Sequence, residues 1–348
     1  MQSLRNLRLT SSTLNRAASL LLFEVLVLRS PKGIKRRLRL LCSQHAPLFR
    51  VFSVEWPSDR LQVFLADLSR DLHTITRNLP NLIEIMLVRG TNQEIFITKG
   101  AVDNLHDVLA NLFTFGRLDG VETLCISLPV VSTFDYLVNS PRLQRNTANC
   151  QTLKNVMKRI RNLAVDFFPI SSGETPSDAL LYKEELPLPN TEYEEGYFKF
   201  VELATDVEDL SLGGWTDEFF HMSYLNIRTY RCLARISLDY LNTTTEKLQA
   251  LMLQNRWTLI EIQFFAVALT SGTWEVILRS MMSLAHLTEL SVSLCRYERS
   301  GDSGNLGCHP SETVSTDIYS LRKKDHVALE ILRKNVEHNR LSRTDLSD

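Results

Sequence analysis

The residues best suited to chemistry are eight histidines and six cysteines. They are His45, His73, His106, His221, His286, His309, His326 and His338, with Cys42, Cys125, Cys150, Cys232, Cys295 and Cys308. Neither set has the spacing of a site. H-E-x-x-H, H-x-H and C-x-x-C are all absent, which removes the local zinc signatures and the thioredoxin-type redox motif. Cys308-His309 with Cys295 supplies three ligands and no evident fourth. Six dispersed cysteines in 348 residues do not make a disulfide framework. They read as reduced thiols, two of them inside apolar strand-like runs, Cys125 in TLCISL and Cys295 in SVSLCRY.

Gly301, Gly304 and Gly307 give G-x-x-G-x-x-G. A phosphate cradle needs G-x-G-x-x-G opening a helix, so that backbone N–H groups converge on the anion. Here Pro310 and polar residues follow, and the segment reads as a loop. No G-x-S-x-G elbow occurs. Paired carboxylates such as Glu194-Glu195 lie in an acidic stretch where solvation is the default. The chain therefore reads as non-enzymatic, with no cofactor.

Charge is nearly balanced overall, 39 Lys+Arg against 40 Asp+Glu, but unevenly placed. Residues 1–50 hold ten basic residues and one acidic, a net +9. Residues 171–220 hold two basic and thirteen acidic, a net −11. Lys32, Lys35, Arg36, Arg37 and Arg39 interleave with Ile34, Leu38 and Leu41 as on a solvated helix face. Residues 171–195 read as an exposed acidic insertion. The overall balance excludes a uniformly basic nucleic-acid binder. Arg5, Arg8 and Arg16 precede an apolar run that Glu24 breaks, which is neither a secretory signal nor the ~20 apolar residues of a membrane span. A cytoplasmic or nuclear protein is expected, without membrane contact.

What, then, are the 57 leucines for? Many fall in the phrase L-x-x-L-x-L, with Ile, Val or Phe allowed. It begins at Val207, Leu233, Leu259 and Leu287, spaced 26, 26 and 28 residues apart. Looser copies begin at Leu82, Val121 and Ile160, each 39 residues after the last. The closer spacing lies in the leucine-rich-repeat range of 20–29. Within each phrase alternate side chains face a core. Between phrases lie amphipathic segments. One opens with Thr243-x-x-Glu246 as a capping box ahead of Leu248, Leu251 and Met252. Another follows Gly272-Thr273 with Trp274, Ile277, Leu278 and Met281 at helical spacing. Trp274 therefore reads as core, whereas Trp215 beside Gly213-Gly214 reads as a candidate interface anchor. No such unit buries its face alone, so stacking is required. The usual asparagine of the repeat is replaced by Gly90, Leu241, Val267 and Cys295, so an irregular solenoid without an asparagine ladder is expected.

Residues 4–28 read LRNLRLTSSTLNRAASLLLFEVLVL, in which Leu4, Leu7, Leu14, Ala17, Ala18 and Leu21 share a helical face and Phe23, Val25 and Val27 begin an alternating strand. This phrase, with Leu259–Phe264, Val267, Leu269, Ser271, Gly272, Trp274, Ile277, Leu278 and Leu287–Val292, resembles the fungal F-box/leucine-rich-repeat-like proteins. In that family the F-box opens on a Leu-Pro pair ahead of the segment matched here. The resemblance therefore implies an F-box truncated at its N-terminus. It also implies the substrate-recognition role of a cullin–RING (SCF-type) ubiquitin ligase, with Leu4, Leu7 and Leu14 on a Skp-type adaptor. The alternative is a repeat scaffold unconnected with ubiquitin.

The resulting expectation is an α/β, irregular leucine-rich-repeat solenoid. It comprises a partial F-box-like segment over 1–22, repeats over 23–296, and a linker with a charged helix over 297–348, the helix across roughly 316–338. The x residues of x-L-x-L would line the partner-binding face: Asp209, Ser211, Arg235, Ser237, Asp239, Glu261, Gln263, Phe265, Glu289 and Ser291. Their mixed polarity suits a protein rather than a nucleic acid.

Overall fold

The computed structural model describes residues 24–30, 34, 46–57, 60–89, 99–115, 118–139, 153–167, 190–214, 220–227, 230–298 and 317–344. The chain divides into two compact units, Met1–Ile160 with Phe168–Leu188, and Arg161–Phe167 with Pro189–Asp348. Both are built from parallel strands alternating with helices.

In the first unit β1 (Val25–Leu28), β2 (Val51–Trp56), β3 (Glu84–Arg89) and β4 (Thr123–Leu128) pair in that order. Parallel neighbours need a crossover. Helix α1 (Leu61–Arg77) joins β2 to β3 and α2 (Lys99–Phe115) joins β3 to β4, while α3 (Ser132–Asn139) follows β4. Leu61, Phe64, Leu65, Leu68, Leu72 and Ile75 form the buried stripe of α1. The loose phrases at Leu82 and Val121 become β3 and β4, with Ile85 opposite Leu124 and Leu87 opposite Ile126. One reading needs correction. In β1 the buried residues are Leu26 and Leu28, while Val25 is exposed, so the alternation is one residue out of phase. Strand β2 carries no leucine phrase, yet Phe52, Val54 and Trp56 are buried and the Trp56 indole donates to the Ser127 carbonyl at 2.7 Å.

In the second unit β5 (Asn162–Phe167), β6 (Asp209–Gly213), β8 (Arg235–Asp239), β10 (Glu261–Phe265) and β12 (Glu289–Ser293) form one parallel sheet. A second sheet runs β7 (Phe220–His221), β9 (Leu241–Thr244), β11 (Ala268–Ser271), β13 (Cys295–Tyr297) and β14 (Ile318–Tyr319). Helix α4 (Glu194–Val201) follows β5, α5 (Thr245–Gln254) follows β9, α6 (Trp274–Met281) follows β11, and α7 (Lys323–Thr344) ends the described chain. A repeat, as in β8–β9–α5 and β10–β11–α6, is thus a strand, a turn of one or two residues, a second strand and a helix.

The first turn residue is left-handed each time. Tyr240, Ala266 and Leu294 have φ of 53°, 52° and 54°. The turn swings the chain from the first sheet into the second. Its N–H groups also join neighbouring repeats. Tyr240 donates to the Phe265 carbonyl at 3.0 Å and Ala266 to the Ser293 carbonyl at 2.9 Å, and Gly214 donates to Asp239 at 2.8 Å. These bonds satisfy backbone groups where an asparagine ladder is missing. Leu241, Val267 and Cys295, at the asparagine positions, are buried. The Cys295 thiol lies 3.7 Å from the Phe264 carbonyl, and burial pushes it up to about 12, far from a reactive thiolate.

The core of this unit lies between the first sheet and the helices. Ile236, Leu238, Ile262 and Phe264 are buried there, as are Leu248, Leu251 and Met252 of α5 and Trp274, Ile277, Leu278 and Met281 of α6. The cap of α5 is Thr244, whose hydroxyl accepts from the Lys247 N–H at 3.2 Å. Thr243 sits inside β9, so the cap falls one residue later and Glu246 does not stand at the third helical position that a capping box needs. The helix placed across 316–338 starts later, because Ile318 and Tyr319 pair with Cys295 and Arg296 as an edge strand. Buried Asp325 then ties α7 to the last repeats, accepting from the Glu275 N–H at 2.9 Å, Tyr297 at 2.7 Å and Ser320 at 2.5 Å. Of the linker read over 297–312, Tyr297 instead ends β13, and residues 299–312 lie outside the described residues.

Candidate functional site

The four tight phrases place their x residues in straight rows. Asp209, Arg235, Glu261 and Glu289 are register partners in sequence along the sheet. Ser211, Ser237, Gln263 and Ser291 form the next row, and Gly213, Asp239, Phe265 and Ser293 the third. Between them the rows of Leu210, Ile236, Ile262 and Leu290, and of Leu212, Leu238, Phe264 and Val292, point to the core side. All ten residues named from the sequence therefore lie on one face. Arg235, Gln263, Phe265, Glu289 and Ser291 are exposed and the others half-buried.

Charge on this face is partly internally matched. The Arg235 guanidinium donates to Asp209 at 2.5 Å, and Gln263 donates to Glu261 at 2.5 Å. The third row extends onto β5. Asn162 pairs with Asp209 and Val165 with Leu212, which brings Asp166 level with Gly213. A Cβ on Gly213 would lie 2.8 Å from the Cβ of Asp166, so the close approach of Asp166 to β6 requires glycine there. Burial and the charge of Asp166 push the Asp239 carboxyl up to about 6, against a hydrogen bond from Ser237 that favours the carboxylate. The buried Tyr197 hydroxyl donates to the Val165 carbonyl at 2.8 Å, with the Gly213 carbonyl at 3.5 Å, tying β5 to β6. Beside it Phe265 meets Tyr240 edge-on at 5.3 Å between centroids.

Sequence reasoning missed Asp166, Gly213 and Tyr240. The phrase at Ile160 ends at Val165, one residue short of Asp166, and Tyr240 is one residue past the strand. Leu4, Leu7, Leu14 and Trp215 lie outside the described residues, as do residues 171–189 of the acidic insertion. Trp274 is a core residue, its indole donating to the Arg296 carbonyl at 3.1 Å. Among the described residues no cluster of three His, Cys, Asp or Glu could hold a metal ion, and no helix is long and apolar enough to cross a membrane. The rows form an open surface suited to side-chain contacts along an extended partner.

No protein-family model and no curated protein matches the chain. Among solved structures it is similar to the crystal structure of the Rad7 and Elc1 complex in yeast, at 15% identity over 92% of this chain and 88% of that chain, with a TM-score of 0.30. At that TM-score the likeness carries no argument about activity or partners.

Proposed function

We propose that the chain is a non-catalytic protein-interaction module, that its second unit is an irregular leucine-rich-repeat solenoid, and that the open strand face docks a protein partner. The observation that carries the reading is the register of the rows from β6 to β12. Four successive repeats present three aligned x positions each, with the apolar positions turned inward. Such a surface offers many shallow polar contacts, the anatomy of protein recognition. The described residues of the face include one exposed aromatic, Phe265, and mixed charge.

The finer role rests on the resemblance of residues 4–28 and 259–292 to F-box/leucine-rich-repeat-like proteins. On that basis the chain is the substrate-recognition subunit of a cullin–RING ligase, held to a Skp-type adaptor through Leu4, Leu7 and Leu14. Co-purification of the full chain with such an adaptor tests this. The wild-type chain should retain the adaptor, and Leu4→Asp with Leu7→Asp should release it. If the wild-type chain does not bind the adaptor, the ligase role falls and a repeat scaffold unconnected with ubiquitin remains.

A further inference from the structure

The two sheets of the second unit end differently at their C-terminal side. The second sheet is closed by β14, laid against β13. The helix layer is closed by α7, whose Asn335 donates to the Met282 carbonyl at 3.3 Å and whose Asn339 donates to the Leu287 carbonyl at 3.1 Å. The first sheet ends on β12 itself, and among the described residues no strand lies beyond it. One row of the core records the difference. Leu210, Ile236 and Ile262 are at most 2% exposed, whereas Leu290, the last member of the row, is half-buried. The edge strand β1 of the first unit, by contrast, keeps Leu26 and Leu28 buried.

The backbone of β12 is open on the same side. Glu289 donates to the Ile260 carbonyl at 3.1 Å, and the Ser293 carbonyl accepts the Ala266 N–H at 2.9 Å. Parallel pairing therefore directs the N–H and C=O groups of Glu289, Ser291 and Ser293 toward β10, and those of Leu290 and Val292 toward the open side. The strand, ELSVS, holds neither the lysine nor the proline that commonly blunts an edge.

We propose that β12 pairs with β12 of a second copy of this chain, antiparallel, about a two-fold axis at Ser291. The choice of occupant rests on self-complementarity. With Ser291 opposite Ser291 of the second copy, Leu290 stands opposite Val292 and Glu289 opposite Ser293. Apolar side chains then meet on the core side, and each Glu289 meets a serine rather than its like. The open groups of Leu290 and Val292 exchange four hydrogen bonds across the axis, and Leu290 gains cover. A register shifted by one residue would set core positions against outward ones. The pairing uses the strand edge, so it stands whether or not the outward face docks a partner.

Sedimentation velocity of the full chain tests this, and a dimer should form in the micromolar range. Ser291 is exposed in the single copy, so Ser291→Lys should fold normally. It sets like charges against each other at the axis and should weaken the dimer about tenfold or more. Gln263→Lys, in the same row one strand inward, should leave the dimer intact. Mild oxidation of Ser291→Cys should give a disulfide-linked dimer. The two Cα atoms of that non-hydrogen-bonded pair lie about 4.5 Å apart, within the reach of a disulfide. Glu289→Cys should not exceed the wild-type background, because the two copies of residue 289 are offset by four residues, about 14 Å apart. A chain that stays monomeric at every concentration overturns the proposal. So does a dimer indifferent to Ser291→Lys, or one crosslinked through Glu289→Cys rather than Ser291→Cys. Assemblies that keep growing with concentration also overturn it, since a two-fold pair closes on itself.

Discussion

Glu194 opens α4 with its side chain buried, accepting the His221 N–H at 3.2 Å. Burial pushes its carboxyl from 4.5 up to about 7, against that hydrogen bond. A carboxyl raised on folding favours the native state most when protonated. Its contribution is complete below the unfolded value and lost as pH rises through about 7. Glu194→Gln keeps an acceptor for His221 and removes the titration. Relative to wild type, this variant should gain about 1–2 kcal/mol between pH 5 and pH 8.5, after discounting for solvent screening. Melting temperatures measured across that range check it. Parallel curves for the two proteins would contradict the cause assigned. In the sequence Glu194 looked like one of many solvated acids, because nothing in Glu194-Glu195 distinguishes the buried carboxyl from its exposed neighbour. Asp239 was legible as a face residue, yet its partner across Gly213 was not. The repeat at β5 is loose, and a two-strand relationship is not a sequence spacing.

The strands of the first sheet were the most legible elements. Their L-x-x-L-x-L phrases alternate with a period of two, and that period fixes which side chains turn inward. The second sheet was not legible. It depends on Tyr240, Ala266 and Leu294 adopting positive φ, and none of these residue types announces that conformation. The register of the turn N–H groups with the next repeat holds it instead. A left-handed non-glycine residue costs roughly 1–2 kcal/mol, which offsets part of what stacking provides. Ala266→Gly removes that cost while its N–H still reaches Ser293. The added freedom of the unfolded chain returns some of the gain. Urea unfolding should show a net stabilisation of about 0.5–1 kcal/mol. An equal loss would mean that the buried methyl of Ala266 matters more than its backbone.

At the scale of the whole molecule, leucine is organised rather than merely abundant. In the second unit it sets a repeating core, and the same alternation leaves an outward face whose polarity is free to vary. The edge of that unit is closed by β14 and α7 through buried Asp325, which gives the last repeat a covered end. The bipolar charge of the chain also takes a more definite form, since acidic side chains dominate the outward rows as well as the insertion. The central claim is that these rows, and not a pocket, are the functional surface. The most direct measurement is quantitative capture of partner proteins by the full chain from its native extract. Wild type is compared with a triple reversal, Arg235→Glu, Glu261→Lys and Glu289→Lys, and with the helix-side control Val276→Ser. The reversed face should lose a defined set of partners by about tenfold or more while the control retains them. An identical partner set for all three proteins would contradict the assignment of the strand face.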